Sequence, residues 1–351
     1  MTMVQEKVRN DLRVAIIGGG FGLRVQAPII HCHPKMNVFS ISTMKRHQIP
    51  NELMSGEHRP AHYHNWMEML DQEEIDLLFV SSIPIYHFDM VKYAIKKGIH
   101  VVCEKPFMIN SEESKQLLTL SNYYNIKVVV DFEWRYLPIR QKVKKIIQNG
   151  DIGKILHFDY HISSPGYKNL RTMKKGWMGE RNKFGGMLGA LGSHMIDCMK
   201  WLTNDEIETM NSYLFTHVPE GGGEMRDADD AFFLHGKLKN HTSFSLQLLS
   251  GINHGFGSEL KIYGHLGTIR LSNDNNLFWG KVNEELKQVL VQTDEKIPTH
   301  LSNEARAYYP AFYPFIEKVY EYITLNTLDE DLPTIKDGHE NQTVLDRILF
   351  K

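Results

Sequence analysis

The sequence predicts an α/β Rossmann domain, a doubly wound parallel sheet, followed by an α+β domain with a large, mainly antiparallel open sheet. Three observations carry this expectation. Short β-branched runs alternate with helical periods through the first third of the chain, as in a parallel sheet covered on both faces. The first run leads directly into Gly18-Gly-Gly-Phe-Gly22. After Asp131 the pattern changes to period-two runs joined by short polar turns, as in antiparallel hairpins. At 351 residues the chain is long enough for two cores. They are placed at 1–131, for dinucleotide binding, and 132–351, for substrate binding and oligomerisation, with the C-terminal helices packing back on the body.

Taken in order, 13–17 reads as a buried first strand. The glycines behind it permit a tight turn and close approach to a pyrophosphate, whose charge suits the first amides of the next helix. That helix covers 23–30, and Pro28 should shorten or bend it. The spacing is Gly-x-Gly-x-Gly, with Leu23 where the usual fingerprint has its third glycine. A second strand at 37–42 ends in Ser42-Thr43-Met44-Lys45-Arg46. An NAD site ordinarily places an acid there for the ribose 2′-hydroxyl. Two hydroxyls and two cations suit a 2′-phosphate, so NADP(H) is favoured over NAD(H); the alternative is a solvated basic turn. A helix at 65–70, a strand at 75–81 ending at Ser81, and a helix at 87–97 closing at Gly98 follow.

The next strand, 99–103, stops at Glu104-Lys105-Pro106. Open parallel sheets bind ligands outside the carboxyl ends of their strands. Lys105 would therefore face cofactor and substrate, and its ammonium can donate to a substrate oxygen. Ser111 reads as the N-cap of a helix reaching about residue 125, and 127–131 closes the first domain as a strand. Beyond it, a helix at 141–148 precedes strands at 155–163, 207–216, 231–238, 242–249, 259–263 and 268–271. A helix at 187–202 interrupts them, and helices at 305–325 and 338–350 end the chain. An exposed antiparallel face of this size predicts a homo-oligomer, a dimer or tetramer.

Composition excludes other classes. A net charge of −2 leaves no nucleic-acid footprint over the whole chain. No apolar run approaches a membrane span, and residues 1–13 lack the apolar core of a signal peptide, so a cytoplasmic protein without a membrane partner is expected. Cys32, Cys103 and Cys198 are scattered and odd in number, which fits reduced thiols. His31-Cys-His33 and His62-Tyr-His64 lack a second ligand cluster, and no metal site is expected.

Four segments in one order carry a resemblance: Gly18-Gly-Gly-Phe-Gly22, Glu104-Lys105-Pro106, Trp134-Arg135-Tyr136 and Gly185-Gly-Met-Leu-Gly-Ala-Leu-Gly192-Ser-His194-Met-Ile-Asp197. Over nearly its whole length the chain resembles the Gfo/Idh/MocA family of NAD(P)-dependent oxidoreductases. The resemblance implies hydride transfer between nicotinamide and a hydroxyl or ketone of a sugar, sugar phosphate or cyclitol. Some relatives act instead on an imine or tetrapyrrole. Lys105 and His194 match the family's catalytic lysine and histidine. Cofactor contacts are then expected from Gly18, Gly20, Phe21 and Gly22, from Ser42, Thr43, Lys45 and Arg46, and from Ser81, Glu104, Lys105 and Arg135. Substrate contacts are expected from Glu133, Tyr160, Trp177, Arg181 and His194.

One departure matters. Family members commonly carry an Asp four residues before the histidine, on the same helix face, and here that position is Ala190. Either Lys105 and His194 suffice, or Glu133, Tyr160 or His161 substitutes, or the chain is a nucleotide-binding regulator without turnover. Chemistry supports the pair independently: an imidazole titrates at about 6.5 and can take a hydroxyl proton, while an ammonium stabilises the developing alkoxide. The loop 168–183 carries six cations against Glu180, with Tyr167 and Trp177 nearby. It reads as a substrate loop for an anionic sugar or as a solvated or subunit-contact loop.

Overall fold

A computed structural model describes residues 11–46, 48–50, 53, 59–292 and 296–350; residues 1–10, part of the leader reading above, lie outside them. The first sheet contains β1 (Leu12–Ile17), β2 (Met36–Ser42), β3 (Ala61–Tyr63), β4 (Leu77–Val80), β5 (His100–Cys103) and β6 (Val128–Val130). All are parallel, in the order β3-β2-β1-β4-β5-β6. The order reverses between β1 and β4, which is where a doubly wound sheet opens its ligand crevice.

The covering helices are α1 (Ala27–His31), α2 (Trp66–Gln72), α3 (His87–Lys96) and α4 (Ser111–Tyr124). The bend expected near Pro28 is a π-helical turn, Gly22–Gln26, in which the Ala27 N–H reaches back to the Gly22 carbonyl. Pro28 is the second residue of α1, directly after this wider turn. The cap of α4 is Asn110 rather than Ser111: its extended backbone lets Oδ1 accept from the Glu113 N–H at 2.8 Å.

The second sheet comprises β7 (Ile155–Ser163), β8 (Ile207–Phe215), β11 (Ala231–Leu238), β12 (Ser243–Leu249), β13 (Gly257–Gly264), β14 (Gly267–Ser272), β15 (Asn276–Lys281) and β16 (Lys287–Val289). A small hairpin, β9 (Glu220–Gly221) and β10 (Glu224–Met225), stands apart. The large sheet runs β16-β15-β14-β13-β7-β12-β11-β8 and is antiparallel except for β7 with β12. Its inner face packs on α5 (Pro138–Gln148), α7 (Ser193–Thr203) and α9 (Ile335–Leu349), with Phe158, Leu246, Ile262, Met195 and Leu345 in one core. A short α6 (Tyr167–Thr172) lies ahead of α7.

The outer face of the central strands is polar and paired. Asp159 accepts from Ser245 Oγ at 2.6 Å and faces Lys261 Nζ at 3.6 Å, while Arg270 bridges Glu259 at 2.9 Å. Such a face tolerates water, so sheet size alone does not require a second copy. The helix α8 (Asn303–Leu325) joins the first sheet: Phe312, Phe315, Ile316 and Val319 share a core with Val14, Ile16, Val38 and Phe79. Among the described residues no helix is long and apolar enough to cross a membrane.

Candidate active site

A cleft of about 580 Å³ lies outside the carboxyl ends of β1, β2, β4 and β5. Gly18 sits at φ +150°, and a Cβ there would stand 2.4 Å from the Ser81 carbonyl oxygen, so only glycine fits. A Cβ on Gly20 would meet nothing within 4 Å, leaving the loop backbone open to the cleft. Gly22 does not line the cleft; its Cβ position is 2.8 Å from Ser81 Cβ. It serves helix–strand packing, the task of the usual fingerprint's third glycine, one residue early. Phe21 faces the cleft and meets Tyr308 of α8 edge-on at 4.8 Å.

At the end of β2, Ser42, Lys45 and Arg46 line the cleft, and Arg46 Cδ lies 3.6 Å from where a Gly19 Cβ would be. Thr43 is buried and points away. Its Oγ1 donates to the Arg46 carbonyl and pairs with His62 Nε2, each at 2.7 Å, so it shapes the basic turn instead of meeting a ligand.

The β5 end brings Glu104 and Lys105 into the cleft; the Lys105–Pro106 peptide is cis. Lys105 Nζ donates to the Ala190 carbonyl at 2.8 Å, tying the lysine to the turn just ahead of His194. That turn, Leu188–Gly192, is π-helical and leads into α7. Its start is held by buried Asp229, whose Oδ2 accepts from the Leu188 N–H at 2.8 Å. Burial raises the Asp229 carboxyl to about 6 against these amide bonds.

Because β5 and β6 are neighbours in register, Glu104 and Asp131 emerge side by side, with the Asp131 N–H on the Cys103 carbonyl at 2.8 Å. Gln26 Nε2 donates to Glu104 Oε1 (2.9 Å) and Asp131 Oδ2 (2.7 Å), and its Oε1 accepts from Ser81 Oγ. The 3₁₀ turn Glu133–Tyr136 then places Glu133 and Trp134 in the cleft wall. His194 stacks on Trp134 (4.1 Å between centroids, 9° between planes) and turns Nε2 towards Glu133 Oε2 at 3.9 Å. Burial, then the charges of Lys105 and Arg140, hold His194 well below the ordinary imidazole range, so it is neutral near pH 7. Burial, reinforced by Glu104 and opposed by Lys105, pushes Glu133 up to about 8.

The structure thus gathers Gly18, Gly20, Phe21, Ser42, Lys45, Arg46, Ser81, Glu104, Lys105, Glu133, Trp177 and His194 around one cleft. Others of the expected set lie elsewhere. Arg135 is buried away from the cleft, bridging Asp197 (2.6 Å) and Asp337 (2.9 Å). Tyr160 sits in the core beneath the cleft, its hydroxyl accepting from Arg140 Nη2 at 2.6 Å. Alternation along β7 sends His161 to the opposite, outer face, near Gln247. Arg181 is exposed, and its backbone N–H donates to Asp227. Sequence reasoning missed Gln26 and Asp131, and the cleft-lining Trp134, Met178 and Tyr308. A strand-end acid at 131, equivalent to Glu104, was the one available signal.

The open glycine backbone and strand ends fit a dinucleotide, which they would hold at the loop and the β2 turn. Comparison with known proteins agrees. The model "Oxidoreductase family, NAD-binding Rossmann fold" matches residues 12–132, and "GFO/IDH/MocA C-terminal domain" matches 140–270. An uncharacterised oxidoreductase of Synechocystis sp. is 27% identical, covering 96% of this chain and 92% of the relative. Glucose-6-phosphate 3-dehydrogenase of Bacillus subtilis is 26% identical over 82% of each chain. The solved structure of a levoglucosan dehydrogenase in complex with NADH and levoglucosan superposes with TM-score 0.83 at 20% identity, covering 97% of this chain and 96% of the other.

Proposed function

The chain belongs to the GFO/IDH/MocA family of NAD-binding oxidoreductases, and from that premise we propose that it is an NADP(H)-dependent dehydrogenase or reductase acting on a secondary hydroxyl of a neutral, sugar-like polyol. The observation that carries this is that Lys105, bonded to the Ala190 carbonyl, and His194, on the helix that follows, line one cleft with the glycine loop. Bound nicotinamide supplies the hydride acceptor or donor. Residues 18–21 hold the pyrophosphate through backbone amides, and Ser42, Lys45 and Arg46 receive the 2′-phosphate. Lys105 Nζ donates to the substrate oxygen and stabilises alkoxide character. His194 offers a neutral imidazole to the same oxygen. Trp134, Trp177, Met178 and Leu191 supply flat apolar walls for sugar C–H surfaces and exclude water.

The same lining supports a neutral substrate. Among the described residues of the cleft, the cations other than Lys105 are Lys45 and Arg46, at the β2 turn. The basic loop places Trp177 in the cleft, while Lys183 pairs with Glu180 at 2.9 Å. The test is a nucleotide titration followed by a polyol screen, read by reduced-nicotinamide absorbance. Turnover on neutral sugars with Lys105→Ala lowered about 10²–10⁴-fold is expected. Tight nucleotide binding without turnover on any polyol would refute it.

A further inference from the structure

Two buried carboxyls, Asp131 and Glu133, and the half-buried Glu104 cluster beside one ammonium, that of Lys105. Asp131 is inaccessible, and its Oδ1 finds no donor among the described residues. The Gln26 amide holds its carboxyl next to that of Glu104, and burial with the charges of Glu104 and Glu133 raises its proton affinity. Three carboxyls gathered beside one ammonium in a largely buried site repel one another when ionised, so the cluster keeps at least one proton. The Gln26 amide spends both its hydrogens on Glu104 and Asp131, and only Glu104 and Glu133 reach the cleft. His194, the other candidate acceptor, has Nδ1 buried without a partner among the described residues and Nε2 directed at Glu133.

We propose that Glu133 is a catalytic residue, the proton acceptor and donor for the substrate hydroxyl, and that it supplies the carboxylate missing at Ala190. The inference rests on the dehydrogenase reading above. In oxidation the substrate O–H bond breaks and a Glu133 Oε–H bond forms. The C–H electron pair leaves as hydride to the nicotinamide, and the carbon–oxygen double bond forms. Reduction reverses each transfer. Asp131 and Glu104 share the proton within the protein, Lys105 steadies the oxygen, and neutral His194 hydrogen-bonds it without holding the charge. The ionic and titratable groups around Glu133 come from every packed element: Glu104 and Lys105 from the β5 end, Asp131 beside it, His194 from α7, Tyr308 from α8, and Arg140 of α5 behind Trp134. Burial and Glu104 together keep Glu133 protonated to about pH 8, so oxidation should accelerate as pH rises through that value.

The experiment compares wild type, Glu133→Gln, His194→Gln and the double variant Ala190→Asp/Glu133→Gln. Oxidation by wild type should rise to a plateau with an apparent pKa near 8. Glu133→Gln should lower kcat about 10²–10⁴-fold and remove that limb, with NADPH affinity unchanged. The double variant should regain at least tenfold, because a carboxylate four residues before His194 returns to its face. Unchanged kcat and pH limb in Glu133→Gln, with loss of the limb in His194→Gln instead, would overturn the proposal. Infrared difference spectroscopy decides it independently of any substrate. A protonated-carboxyl stretch should titrate near pH 8 in wild type and not in Glu133→Gln. Its absence from wild type refutes the proton store even if the dehydrogenase reading stands, whereas a band without turnover refutes only the latter.

Discussion

Replacing Lys45 and Arg46 together by alanine should convert the nucleotide preference. Both side chains line the β2 end of the cleft and are exposed, and Arg46 lies across the glycine loop. A hydrogen bond to a charged group contributes about 1.5–3 kcal/mol, and solvent exposure with salt screening brings these two to the lower end. At about 1.4 kcal/mol per tenfold, the pair accounts for roughly a hundredfold in NADPH affinity. NADH has no 2′-phosphate and should lose less than about threefold. Thr43→Ser should leave both affinities unchanged, since its hydroxyl serves the Arg46 carbonyl and not the ligand. Fluorescence titration of wild type, the double variant and Thr43→Ser with both reduced nucleotides measures this directly, and repeating it at high salt should shrink the wild-type preference. Tighter binding of NADH by wild type, or an equal loss for the two nucleotides in the double variant, would refute the reasoning.

Other expectations follow from the same geometry. Gly18→Ala puts a Cβ 2.4 Å from a backbone oxygen at φ +150°, so it should abolish nucleotide binding and cost about 1–3 kcal/mol by chemical denaturation. Asp229→Ala leaves the Leu188 N–H unpaired in a buried position, which should cost about 1–3 kcal/mol and lower kcat by loosening the turn just ahead of His194. Stability should also depend on pH through Glu133. Between pH 4.5 and about 8 the folded chain keeps a proton that the unfolded chain has lost. Stability therefore falls as pH rises across that window, by at most about 1.4 kcal/mol per unit, and levels above it. Denaturant midpoints for wild type should show this slope, and Glu133→Gln should flatten it.

Strand–helix alternation, the glycine loop and the lysine at the β5 end were all legible because each is a local pattern. The second domain was legible as a class, yet β3, β15, β16 and the hairpin at residues 220–225 were not, being short or lacking a clean alternation. The fold also hid what depends on strand adjacency. Nothing local to Asp131 says that β6 lies beside β5, so its pairing with Glu104 through Gln26 emerges only in three dimensions. Arg135 was expected at the cofactor from the family resemblance, and Tyr160 as a substitute for the acid absent at Ala190. Here carboxylates satisfy the first, and an arginine satisfies the second. Likewise the sequence reads α8 as a C-terminal helix packing back on the body, but not that it completes the first core and brings Tyr308 to the cleft.

The most direct measurement is of hydride itself. A polyol deuterated at its carbinol carbons would be incubated with the protein and NADP⁺, and the nicotinamide analysed by mass spectrometry. Substrate-derived deuterium on the reduced ring, formed by wild type and lost about 10²-fold or more in Lys105→Ala, is the predicted result. Unlabelled reduced nicotinamide, or no reduction with any polyol while NADP⁺ is bound, would contradict the assignment.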